Sequence, residues 1–168
     1  KKKISNKKAK WINNLNEIKK GPVIFFGNEF FDAMPIKQFK RIKNNFFEKN
    51  YALDKNKKIK EIFAKASPAS VKIIKSYKSL KNLKFIEFPQ FGFQELNKIN
   101  KKISKLGGCI LMIDYGYLQP HNQNTLQSVM KHKRNSLLHN LGKADITAHV
   151  NFALLREFFK KDGLKVKN

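Results

Sequence analysis

Two stretches of the chain, residues 23–26 (VIFF) and 109–113 (CILMI), are continuous apolar runs without polar alternation. Both are too short for an ordinary helix and carry the pattern of strands buried on both faces. Each run stops abruptly on polar residues: Gly27, Asn28, Glu29 and Asp32 follow the first, and Asp114, Tyr115 and Gly116 follow the second. In open α/β sheets, ligands bind just beyond the carboxyl ends of the strands. The two runs therefore point to one site.

Between and around them the period changes. Trp11, Ile12, Leu15 and Ile18 have loosely helical spacing and form a short amphipathic element ended by Gly21 and Pro22. Residues 38–42, 46–53 and 58–63 are short segments separated by turn residues, the mark of an antiparallel meander that occupies positions 37–63 as an insertion. Ser67 followed by Pro68 opens a short helix with Val71, Ile74 and Tyr77 on one face. Residues 84–88 (KFIEF) are rich in strand formers and are closed by Pro89. After a turn at Phe91 and Gly92, the residues Leu96, Ile99, Ile103 and Leu106 make the clearest helix, with Gly107 where its carboxyl end needs a left-handed residue. That helix leads directly into the second apolar run, an α/β unit of the kind that builds parallel sheets. Residues 119–124 form a polar loop. Asn151 then caps a helix carrying Phe152, Leu155, Phe158 and Phe159, and Gly163 ends it before a strand at Leu164 and Val166.

Composition changes this picture in two ways. The 168 residues hold 36 Lys and Arg against 12 Asp and Glu, a formal charge of +24. Such an excess ordinarily favours nucleic acid through counterion release. Here it is almost all Lys, spread along the chain with abundant Asn, Ile and Phe, the residues of AT-rich codons; both a solvated surface set by genome bias and a functional basic face fit that distribution. Lys37, Lys40, Arg41 and Lys43 would be the patch, but the meander lacks the aromatic interleaving of single-strand platforms, and nucleic acid is not the expected partner. The single Cys109, inside an apolar run, excludes a disulfide framework and reads as a buried, reduced thiol of a cytoplasmic protein. His121, His132 and His139 lack metal-ligand spacing, so no metal site is expected. No apolar stretch reaches the roughly 20 residues of a membrane span.

Four segments in order, GNEFFDAMPIKQF (27–39), GGCILMIDYG (107–116), TLQ (125–127) and DITAHVNF (145–152), resemble the MidA-like family of S-adenosylmethionine-dependent methyltransferases, which includes the mitochondrial complex I assembly arginine methyltransferase. The resemblance implies a partial class I, Rossmann-like α/β sheet with the meander inserted in it, and S-adenosylmethionine as cofactor. It also implies a glycine-rich cofactor loop well before residue 27, and no such loop is present in the sequence. The expectation is thus a carboxy-terminal portion, residues 1–168, of one methyltransferase domain that lacks its cofactor-binding glycine-rich half and is inactive by itself. A bacterial protein of this kind would be cytoplasmic, its eukaryotic relatives mitochondrial, and its substrate a protein resembling a respiratory complex I subunit.

The residues themselves allow the same chemistry. Methyl transfer asks an enzyme mainly for positioning and a suitable field, and an arginine acceptor presents a cationic fork that carboxylates match. Glu29 and Asp32 are the candidate catalytic carboxylates, and His149, in a motif that the resemblance marks out, is a candidate base. Asn28, Asp114 and Tyr115 are candidate cofactor contacts, and Gln127 a candidate substrate contact. For each acid the alternative is a cap or turn, and for His149 a satisfied structural role. Asn151 stands where the family has Asp, which leaves the helix cap intact and removes a charge. Two other readings stay open: a non-catalytic assembly factor using the meander as its contact surface, and a basic nucleic-acid-binding module.

Overall fold

The computed structural model describes residues 9–167 as a mixed α/β structure. The first apolar run becomes β1 (Val23–Asn28). The meander follows as β2 (Lys37–Ile42), β3 (Asn45–Leu53) and β4 (Ile59–Lys65). Then come α1 (Pro68–Lys75), β5 (Phe85–Phe88), α2 (Gln90–Leu106) and β6 (Gly108–Ile113). After two-residue β7 (Gly116–Tyr117), the chain makes β8 (Gln127–Met130), β9 (Lys133–Asn135), β10 (Asp145–Thr147), β11 (Val150–Asn151) and α3 (Phe152–Lys161).

The two apolar runs are hydrogen-bonded neighbours. β1 and β6 pair in parallel with Val23 opposite Gly108 and Asn28 opposite Ile113, so their carboxyl ends finish side by side. Entry into β6 is possible only for glycine: Gly108 has φ +129, and a Cβ there would lie 1.8 Å from the Val23 carbonyl oxygen. α2 ends as the sequence indicates, with Gly107 at positive φ donating its N–H to the Ile103 carbonyl at 2.7 Å.

Burial on both faces does not hold. Phe25, Ile110 and Met112 turn toward the core, whereas Ile24 and Phe26 are 74% and 63% exposed and Leu111 and Ile113 are about half exposed. Among the described residues only one layer covers the pair, so unbroken apolarity appears as alternating burial. Cys109 lies on the open face with Ile24 and is exposed, which overturns its reading as a buried thiol.

The meander strands form the sheet order β4-β3-β2-β5, antiparallel throughout. One face carries Phe39, Phe46, Ile86 and Phe88 into the core. Phe93 on α2 is the hub: it stacks on Phe158 of α3 at 4.2 Å and contacts Phe88 edge-on at 5.4 Å, with Phe31 and Tyr77 beside it. Phe31 is therefore packing, and Phe30 is exposed.

The helix ends follow their caps. Ser67 Oγ accepts the Ser70 N–H at 3.1 Å, and Asn151 Oδ1 accepts that of Leu154 at 3.0 Å. Three expectations fail. Phe91 and Gly92 lie inside the first turn of α2, because Phe93 must face the core and the helix begins one turn early to aim it there. Residues 11–18 contain only a 3₁₀ turn, Leu15–Glu17, and Trp11 is 88% exposed: too few apolar side chains share a face to hold a longer helix. Leu164 and Val166 form no strand. They line an open, mostly apolar cleft between β6 and α3 without joining the β6 ladder. No helix among the described residues is long and apolar enough to cross a membrane.

Candidate functional site

Where β1 ends, the chain turns sharply, and Asp114 at the end of β6 holds that turn. Its Oδ2 accepts the backbone N–H of Phe31 at 2.8 Å and those of Phe30 and Asp32 at 3.3 Å each, while Oδ1 accepts the N–H of Tyr115 at 3.1 Å. A carboxylate gathering successive amides is a charge-assisted cap. Asp114 thus anchors the loop through the main chain, the turn role that the sequence left open beside a cofactor contact.

The anchored loop presents Glu29. Its N–H bonds the Ile113 carbonyl at 2.9 Å, its φ is +46, and its side chain is exposed with no ion pair among the described residues. A non-glycine residue held in the left-handed region costs on the order of 1–3 kcal/mol, and such strain clusters at functional sites. Asp32 sits half-buried in the same loop. Burial pushes its carboxyl above the usual aspartate range, and the neighbouring charges of Asp114 and Glu29 push it the same way, against a hydrogen bond from the Ala33 N–H. Asp32 also makes no ion pair among the described residues, in a chain with three times as many basic as acidic residues.

The shift has a sign. A carboxyl whose folded pKa is raised binds more protons in the folded state, so its contribution to stability falls as pH rises from its ordinary value near 3.8 through the raised one. At neutral pH the ionised group is a net cost. Asp32→Asn is expected to stabilise the fold by a few tenths to about 1 kcal/mol at pH 7, the gain shrinking toward pH 4; urea unfolding at both pH values checks it. Equal or lower stability of the variant at pH 7 would refute the carboxylate cluster.

The remaining candidates come to the same place through the main chain. The Ala148 N–H donates to the Asp32 carbonyl at 2.9 Å, and the Val150 N–H donates to that of Tyr115 at 2.8 Å. His149, between them, is exposed and donates its backbone N–H to Thr125 Oγ1 at 3.0 Å. Gln127 pairs across β8 and β10 with Thr147, side chain to side chain at 3.3 Å, two residues from His149. Asn28 and Tyr115 stand exposed at the ends of β1 and β6. Gly116 admits this junction, since a Cβ there would meet the Val150 carbonyl oxygen at 2.2 Å.

Sequence reasoning missed Glu87. Buried in β5, its carboxylate accepts the Thr125 N–H at 3.1 Å, the Leu126 N–H at 3.2 Å, the Gln38 amide at 2.8 Å and the Thr125 hydroxyl. It ties the antiparallel sheet to the Thr125 turn that carries His149, and the only hint in the sequence is one acid inside an apolar strand. Tyr117 was also missed. Burial and the nearby Glu87 charge push its hydroxyl up to about 12, and its ring lies 3.9 Å from that of His121. The cavity behind His149 measures about 20 Å³, room for one water. Among the described residues no three His, Cys, Asp or Glu side chains come close enough to share a metal ion.

The sequence is similar to known proteins over most of its length. The family described as S-adenosyl-L-methionine-dependent methyltransferase matches residues 1–168. The chain is 29% identical over 152 residues to the mitochondrial protein arginine methyltransferase NDUFAF7 homolog of Caenorhabditis elegans, covering 89% of this chain and 36% of that protein. It is 26% identical over 149 residues to the human protein arginine methyltransferase NDUFAF7, covering 87% and 33%. It thus spans about a third of the length of the curated relatives it matches. Two crystal structures from Burkholderia thailandensis share the fold at 20% identity and cover 92% of this chain: an uncharacterized superfamily protein (TM-score 0.72, 42% of that chain) and a superfamily member bound to S-adenosyl-homocysteine (TM-score 0.71, 41% of that chain). With the family match running the length of the sequence, the chain belongs to the S-adenosyl-L-methionine-dependent methyltransferase family.

Proposed function

We propose that the complete protein transfers a methyl group from S-adenosylmethionine to an arginine of a protein substrate, and that residues 1–168 supply the acceptor side of the site. The observation that carries this reading is the acid cluster of Glu29, Asp32 and Asp114 at the carboxyl ends of β1 and β6, with Glu29 and Asp32 free of ion pairs among the described residues. The chain is rich in lysine, yet none pairs with these two carboxylates among the described residues, which leaves them for a cation from outside. A guanidinium, with its planar fork of donors, is the protein cation that two carboxylates hold best.

In this reading Glu29 and Asp32 orient the guanidinium, and the Glu29 carboxylate accepts the proton that the attacking nitrogen loses as it takes up the methyl group. Asp114 positions both by fixing the loop. His149 and Gln127 flank the entry. The relatives named above are protein arginine methyltransferases, and the complex I connection of the family would make a subunit of that kind the substrate.

The residues fit a bound S-adenosylmethionine in part. The Asn28 amide and the exposed Tyr115 ring offer a hydrogen-bonding edge and an apolar face at the strand ends, and the cofactor would supply the electrophilic methyl group. A glycine-rich loop is not among residues 1–168, so we assign the rest of the cofactor site to a preceding segment of a longer chain, with the meander an insertion in a Rossmann-like sheet. We place that protein in the bacterial cytoplasm.

Calorimetric titration of S-adenosylmethionine tests the assignment. A chain extended upstream to the length of its relatives is expected to bind saturably, and residues 1–168 at least about tenfold more weakly. Binding by neither would sink the enzyme reading, and equal binding by both would sink the division of the site.

A further inference from the structure

Outside the carboxylate site, the solvent face of the antiparallel sheet is a surface that the methyl-transfer reading does not use. The strand register puts Lys40 and Ile42 of β2, Phe47, Lys49, Tyr51 and Leu53 of β3, and Ile59, Glu61, Phe63 and Lys65 of β4 on one face, opposite the core face. Leu53 is 68% exposed, Ile42 55% and Ile59 45%. Along its outer side β4 has no strand neighbour among the described residues, and all seven of its residues are exposed. A free edge beside an apolar face is the setting for an added strand.

Charge selects the occupant. Residues 37–65 hold nine Lys and one Arg against Glu48, Asp54 and Glu61. Each of these three acids is already paired within the sheet, with Lys37 at 2.9 Å, Lys60 at 3.1 Å and Lys49 at 2.7 Å respectively. Lys40, Lys43, Lys55, Lys57, Lys58 and Lys65 have no carboxylate partner among the described residues. Edge lysines ordinarily discourage pairing; against a second copy of this chain the repulsion would be mutual, so the charge argues for a strand of opposite sign.

Aromatic and basic side chains do interleave on this face, which corrects the expectation from sequence. Lys40 Nζ lies 4.7 Å from the centre of the Phe63 ring, and Lys49 Nζ 5.4 Å from that of Tyr51. An ammonium group already stands over each of those rings, and the most exposed apolar side chains, Leu53 and Ile42, are aliphatic, with no plane for a base to stack on. Such a face suits a protein strand better than single-stranded nucleic acid.

We infer that the β3–β4 hairpin docks an extended, acidic segment of a partner protein, which adds to the β4 edge, covers Leu53, Ile59 and Phe63 with its apolar side chains, and meets Lys40 and Lys65 with its carboxylates. The inference goes beyond the methyl-transfer reading and stands without it.

The probe is a synthetic peptide of about twelve residues alternating glutamate with leucine or valine, beside its lysine counterpart, an oligothymidylate and phosphatidylserine vesicles. The acidic peptide is expected to bind residues 1–168, to slow hydrogen exchange in β4, and to weaken about tenfold when salt rises from about 50 to 300 mM. Lys40→Glu with Lys65→Glu, both on the solvent face, should cost a further tenfold or more, and Leu53→Ser a smaller loss. Circular dichroism checks that each variant folds, and exchange on the unaltered chain reads out the site without any substitution. No binding of the acidic peptide, binding without β4 protection, or tighter binding of the oligothymidylate or the vesicles would each overturn the inference.

Discussion

Replacing Asp114 by Ala is expected to lower the stability of residues 1–168 by about 2–4 kcal/mol and to abolish methyl transfer in the extended protein. One oxygen of this carboxylate gathers the N–H groups of Phe30, Phe31 and Asp32, and the other takes that of Tyr115. Without it four donors lose a charged acceptor. Phe31 is buried against Phe93 and cannot turn its amide to water without leaving the core. The other amides are more exposed, so water replaces part of the loss, which keeps the estimate below the sum of four charged hydrogen bonds. For a chain of this size the fall corresponds to about 5–15 °C in the unfolding midpoint. Asp114→Asn keeps one acceptor oxygen but turns an NH₂ toward either the Tyr115 amide or the other three, and should show about half the effect. Thermal unfolding measures the first quantity, and hydrogen exchange at residues 30–32 locates it. Unchanged exchange there would refute the anchoring role whatever the activity.

Sequence alone placed the two apolar runs, the three meander strands, α1, α3 and the carboxyl end of α2, because each has a local cause: a period, a cap, or a glycine forced by backbone approach. It also brought the candidate residues to one region, since strand ends converge by topology. Three things depended on partners distant in the chain. Burial of β1 and β6 was read from their unbroken apolar pattern, but exposure depends on whether a second layer lies over them. The role of Asp114 was left between cofactor contact and turn, and only the fold brings the amides of residues 30–32, more than 80 positions away, to its oxygens. Glu87 was invisible because its partners lie on β2 and in the turn after residue 123, and no motif links them. Aromatic interleaving on the meander escaped for the same reason: Lys40 and Phe63 are neighbours across three strands, not along one.

Glu29→Gln is expected to leave stability within about 0.5 kcal/mol of the parent and to reduce methyl transfer to an arginine peptide by about 10²–10⁴-fold in the extended protein. Glutamine has nearly the same shape, and the exposed Glu29 side chain makes no ion pair among the described residues that its loss would break. Its charge is what the cationic acceptor requires. Backbone strain separates this from a structural role. Glu29 holds φ +46, a conformation glycine adopts freely. Glu29→Gly should therefore raise stability by about 0.5–1 kcal/mol once the greater entropy of the unfolded glycine is offset, and should be at least as inactive as the glutamine variant. A residue kept for turn geometry would give the reverse: glycine would serve and activity would survive. The decisive readout is the split between acceptor and cofactor, since Glu29→Gln should weaken turnover of the arginine peptide while S-adenosylmethionine binding by calorimetry stays within about twofold. If cofactor binding falls with turnover, Glu29 belongs to the cofactor side of the site and the acceptor role proposed for the cluster fails.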